Sequence, residues 1–125
     1  QTGVPLRASF ARGVPEHDPY RFSGRRLLAA REVDVLVWIS AFRDLAPPAT
    51  DVPTILLAPP HARAAKNAAV FLPVGTPGVD HAGYAMRADA LVALKFTASA
   101  ARDLPSCAAV LGDIGARLPA ARKSA

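Results

Sequence analysis

Apolar positions in this chain gather into three short runs and one helical stripe, separated by stretches rich in proline and glycine. The first run is Val33-Asp34-Val35-Leu36-Val37-Trp38-Ile39, the second Val52 to Ala58, the third Ala69 to Val74. All three are rich in β-branched or bulky residues and show little polar alternation. Such runs predict strands covered on both faces, as in a parallel sheet. Each has a clear stop: Ser40-Ala41-Phe42-Arg43-Asp44 and then Pro47-Pro48, Pro59-Pro60, and Gly75-Thr76-Pro77-Gly78. The stripe is Leu104, Cys107, Val110, Leu111, Ile114 and Leu118, at helical spacing, with Asp103 as its predicted cap. Gly112 and Gly115 weaken that helix.

Shorter signals fill the gaps. Asp18-Pro19 or Ser23 can start a helix that runs through Leu27, Leu28, Ala30 and Arg31 to about Glu32. His61 to Asn67 is alanine-rich and predicts one or two helical turns. Gly83 to Phe96 mixes strand formers with alanine and reads as hairpin-like. Strands that alternate with helical segments imply right-handed crossovers and a parallel sheet. The predicted fold class is α/β: a partial doubly wound, Rossmann-like layer with at least three parallel strands, short helices and a C-terminal amphipathic helix. Residues 1–19 are expected to be an extended arm with turns, and residues 20–125 a single α/β domain.

Composition sharpens this picture. A chain of 125 residues suits one domain. At 51% hydrophobic and 20% charged it is too apolar to be disordered. No apolar run approaches the roughly 20 residues that span a bilayer, so no membrane segment is expected. One cysteine, Cys107, excludes an internal disulfide framework and a multi-cysteine metal site, and a reducing, cytoplasmic setting is expected. The net charge of +5 can attract polyanions, but the basic residues are scattered apart from Arg25-Arg26 and Arg122-Lys123. No nucleic-acid motif accompanies them, so a nucleic-acid partner is not expected. A chain this apolar that starts at Gln1 is expected to be a piece of something longer, with surface meant for a partner.

In open parallel sheets ligands bind beyond the carboxyl ends of the strands. That rule selects three loops and six side chains on one rim: Ser40, Arg43, His61, Arg63, Thr76 and His81. They are either a binding rim or solvated loop polars. His81 beside Asp80 is an oriented base or a surface pair. His17, His61 and His81 lack close ligand spacing, and no metal ligand is assigned. Cys107, on the apolar stripe, reads as a structural thiol. Gly-rich phosphate cradles and the G-x-S-x-G elbow are absent. Arg12, among turn formers, either reaches a cleft to hold an anion or is a solvated arginine.

Several stretches together resemble a known family. They are Gln1-Thr2-Gly3, Arg12-Gly13-Val14-Pro15, Val33 to Ile39, Val52 to His61, and above all Val70 to Asp89, which includes a G-x-x-x-R-x-D pattern from Gly83 to Asp89. This resembles the C-terminal part of the B-type subunit of formylmethanofuran dehydrogenase, a group that includes the B-type subunit of the bacterial formyltransferase/hydrolase complex. Both belong to the molybdopterin oxidoreductase superfamily. The resemblance implies a fragment of a longer subunit with a doubly wound fold. It implies reductive capture of carbon dioxide as a formyl group on a furan-type carrier, or the reverse. The implied cofactor is molybdopterin or tungstopterin guanine dinucleotide, and the implied partners are the other subunits of the complex. The family's metal-ligating cysteine has no counterpart here, and the fragment alone is expected to be inactive.

By the same resemblance Arg12 matches the family's arginine near the metal, and Ser40, Arg43, His61 and Thr76 stand on the cofactor-binding rim. Relatives that bind the dinucleotide usually carry Asp-Pro after the second strand, where this chain has Ala58-Pro59. Alanine cannot accept the nucleotide's hydrogen bonds. That departure favours a non-redox, structural subunit of a formyltransferase/hydrolase complex without bound metal. An unrelated basic α/β binding module is the remaining alternative.

Overall fold

The computed structural model describes residues 8–87, 92–100 and 102–118. Gln1 to Gly3, Ala88, Asp89 and the Arg122-Lys123 pair lie outside the described residues. Strands β1 (Ala8–Ser9) and β2 (Glu16–His17) form a small antiparallel hairpin in what the sequence reads as an arm. Gly13 makes its turn possible: it sits at φ 79°, where only glycine is free of steric cost. Helix α1 (Gly24–Ala29) follows. Asp18 prepares it by accepting the amides of Tyr20 and Arg21 at 2.9 and 2.8 Å. Ser23 occupies the N-cap position without a side-chain bond.

Three parallel strands then form the sheet in the order β3 (Leu36–Ile39), β4 (Thr54–Ala58), β5 (Val70–Pro73). Leu36 pairs with Thr54 and Ile55 with Val70. The first strand begins three residues later than its apolar run, because pairing starts where β4 supplies a partner: the Leu36 amide donates to the Pro53 carbonyl at 2.9 Å. Successive side chains on a strand point to opposite faces. Leu56 therefore faces one way and Leu57 the other, and both have no exposed surface. On the Leu56 side lie Ala58 and Ala62, packed by Trp38, Phe71 and the alanines around a 3-10 helix (Arg63–Asn67). Alanines let that short helix approach the sheet closely.

The chain next makes the antiparallel hairpin β6 (Gly83–Arg87) and β7 (Val92–Phe96), as the hairpin-like stretch predicts. Helix α2 (Cys107–Arg117) closes the described chain. Its Cys107 and Val110 pack on the Leu57 side with Ala41, Val74, Ile55 and Leu72. The cap is Ser106, whose Oγ accepts the Ala109 amide at 3.1 Å, not Asp103. The reason is Pro105, which disfavours helical backbone at Leu104 and delays the helix. Leu111 and Leu118 from the stripe stay exposed.

The prediction that all three strands are covered on both faces holds for β4 but not for β3 or β5, whose Val70 is 45% exposed. Val37 and Ile39 share the Leu57 face by register, yet are 44% and 48% exposed. Leu57→Ala should cost about 2–5 kcal/mol, the usual range for emptying a close-packed leucine site. Val37→Ala should cost a small fraction of that. Urea unfolding of the two variants of this 125-residue chain checks the contrast; equal losses would contradict the burial pattern.

Candidate functional site

The parallel order brings the three predicted loops to one edge of the sheet. The loop after β3 is folded around Ser40. Its buried hydroxyl donates to the Arg43 carbonyl and accepts the Leu45 amide at 3.0 Å. Trp38 braces the same loop, its indole N–H donating to the Leu45 carbonyl at 2.9 Å. Ser40 thus shapes the loop from within, while Phe42 and Arg43 stand exposed at its tip.

The loop after β4 is joined to the first by an ion pair. Arg63 Nε lies 3.0 Å from Asp44 Oδ2, and the Arg63 amide donates to Asp44 Oδ1 at 3.2 Å. Both contacts stabilise the charged carboxylate. The Arg63 guanidinium is the main cause that holds the Asp44 carboxyl below the usual range; desolvation opposes it, and the Arg63 amide and the His61 charge assist. His61 itself is exposed, and Ala58 beneath it is fully buried.

The third loop, after β5, is built around Asp80. Its side chain is only 4% exposed. Oδ2 accepts the Thr76 amide at 2.8 Å. Oδ1 faces Arg102 Nε at 3.3 Å without an aligned hydrogen bond. His81 turns away from Asp80: Nδ1 lies 2.7 Å from the Ala82 carbonyl and Nε2 3.2 Å from that of Gly75. Backbone carbonyls, not the Asp80 carboxylate, are the hydrogen-bond partners of the imidazole. The Gly75 amide bonds the Pro105 carbonyl at 2.9 Å and ties the loop to the start of α2. A Cβ on Gly75 would stand 2.9 Å from His81 Cδ2 and 3.0 Å from Asp80 Cβ, so the loop closes only over glycine.

Arg12 belongs to a different place, the hairpin turn, where it is largely exposed and pairs with Glu16 at 3.3 Å. Cys107 is partly buried, and burial pushes its thiol pKa up, which suits a structural role. Among the described residues no three His, Cys, Asp or Glu side chains form a metal-holding group. A cleft of about 1070 Å³ lies between α1, Leu36, Trp38 and the Ala46–Val52 connector, and none of the six rim side chains lines it.

The rim therefore offers an exposed arginine, an exposed histidine and an Asp44–Arg63 clamp. This is an edge that can meet a polar or anionic surface. The sequence pattern does not mark Asp44, Asp80 or Arg102 as its organisers. Asp80 carries a local signal, a carboxylate just after a Gly-x-x-Gly turn, able to bond backbone nearby. Asp44 carries none, since its partner is nineteen residues away.

No protein-family model matches the chain, and no curated protein does. Among solved structures it is similar to a chain of the formyltransferase/hydrolase complex (FhcABCD) from Methylorubrum extorquens, crystallised with methylofuran. The identity is 32%, the TM-score 0.73, and the match covers 89% of this chain. It covers 32% of the other chain, so the present chain spans about a third of that protein's length.

Two measurements test the rim. The Asp44 carboxyl, followed by carbon NMR, should titrate below the ordinary carboxylate value of about 4. Its ion pair stabilises the fold above that ordinary value and is lost as pH falls through the lowered native one. Arg63→Gln should return the midpoint upward; an unmoved midpoint would break the assignment. Gly75→Val should lower the unfolding midpoint and release the Thr76 amide to exchange, whereas Gly24→Ala, with open space around it, should do neither.

Proposed function

We propose that this chain is a segment of a B-type subunit of a formyltransferase/hydrolase complex. It serves formyl-group, one-carbon metabolism as part of the assembly rather than as a redox centre. The observation that carries this reading is the 32% identity over nearly the whole chain, together with the shared fold. The reading also agrees with the residue pattern that first pointed to the family.

The rim supports the structural reading over the pterin-binding one. Relatives that bind a guanine dinucleotide usually place a hydrogen-bond acceptor where β4 ends, and Ala58 offers only a methyl group with no exposed surface. The Ser40 hydroxyl is already used on both its donor and acceptor sides within its own loop. Ala58 and Ser40 do not fit the cofactor, and we assign no chemical step to the rim or to Arg12. In this reading the groups that react with the formyl carrier belong to other polypeptides of the complex. Arg43, His61 and the Asp44–Arg63 clamp serve as a polar docking edge.

The test is to purify the intact protein from its source under an affinity tag. It should bring with it formyltransferase-type and hydrolase-type subunits, without stoichiometric molybdenum, tungsten or a pterin dinucleotide. Stoichiometric metal with pterin would overturn the structural role and restore the redox one. A monomer that ignores such partners yet binds nucleic acid in a salt-dependent manner would replace the whole reading with the basic-module alternative.

A further inference from the structure

The sheet carries its own instruction about where it grows. β3, β4 and β5 step in one direction. The link from β4 to β5 passes over the Leu56 face, where the 3-10 helix packs. The link from β3 to β4 starts on that face too, since Trp38, in register with Leu56, holds Leu45. Helix α2 lies on the opposite face, against Leu57. Crossovers between parallel strands are right-handed in about 98% of cases. Handedness ties the face a helix covers to the direction in which the next strand is laid. If the Leu56 face serves steps from β3 towards β5, the Leu57 face serves steps the other way. A step over the Leu57 face leads past β4 to the outer edge of β3.

That edge is equipped to receive a strand. The amides of Leu36 and Ser40 donate to Pro53 and Leu57 of the β4 side, at 2.9 Å each. Alternation then turns the amides and carbonyls of Val37 and Ile39 outward, where the described residues offer no strand. The side chains of the same two residues are the half-exposed apolar pair on the α2 face. The edge is short, four residues, but it is apolar and uncovered among the described residues.

We propose that the outer edge of β3 pairs with a further parallel strand of the same, longer subunit, and that the cover this strand brings closes over Val37 and Ile39. The similar solved chain, about three times this length, has room for such a segment. The occupant is an apolar strand because its inward side chains meet Val37 and Ile39. It runs parallel to β3 because a crossover over the Leu57 face delivers it so. This inference rests on topology and register, and it stands whether or not the subunit works in formyl transfer.

The experiment is residue-resolved amide exchange on the intact protein purified from its source. Leu36, Trp38 and Ser40, bonded to β4, are internal controls. The Val37 and Ile39 amides should exchange within about tenfold of those controls. Exchange a hundredfold or more faster would overturn the proposal. Protection that rises with protein concentration, alongside a sedimenting homodimer, would overturn it as well, by assigning the edge to a second copy. Ile39→Lys supplies a further check: it should speed exchange at Val37 and residue 39 while the β4-bonded controls stay slow. Unchanged protection in that variant would also count against a strand packed on this face.

Discussion

Everything in this small fold hangs on the burial of β4 from both sides. Leu56 and Leu57 are neighbours in sequence, face opposite ways, and are both sealed from solvent. That is possible only if one strand is flanked by strands on both edges and covered on both faces. The 3-10 helix and Trp38 close one face, and α2 closes the other. Close-packed interiors of this kind hold their neighbours in place, because each lost contact is felt. The loops that leave the carboxyl ends inherit their positions from this single buried strand.

Those loops are then tied by polar contacts, buried at Ser40 and Asp80 and at the surface between Asp44 and Arg63. Ser40 folds the first loop on itself, Asp44 and Arg63 clasp the first to the second, and Asp80 gathers the third. In each case the residue type suggests chemistry while the geometry shows architecture. A buried carboxylate such as Asp80 needs partners to offset the cost of leaving water, and it finds them in the Thr76 amide and Arg102. Side chains engaged in this way have little left to offer a ligand. This links the packing of the rim to the proposed role as an assembly edge.

The distribution of apolar surface points the same way. A layer with one strand almost wholly buried and its neighbour half-bare on one face is an incomplete doubly wound sheet. The similar solved chain is about three times longer, and the likeness runs over most of the present chain. The cost of solvating Val37 and Ile39 is modest for each residue. The open amides beside them add to it, and together they make the β3 edge the natural place for further structure.

The order of residues was enough to set the class of fold. Three β-branched apolar runs with proline or glycine stops make short buried strands, and a stripe at helical spacing from Cys107 onward marks α2. The same pattern revealed which loops share an edge, because strand direction follows from short connections that cross over. Boundaries were less legible. Leu36 starts β3 and Ser106 caps α2 because of partners at Pro53 and a constraint at Pro105, which hydrophobic periodicity does not encode. Three-dimensional packing, by contrast, assigned the polar residues their uses. Whether Ser40 faces a ligand or its own loop, and whether Asp80 meets His81 or Thr76, depends on backbone paths set by that packing. The Asp44–Arg63 clamp spans nineteen positions, and contacts of that range exist only once the sheet has brought two loop ends together.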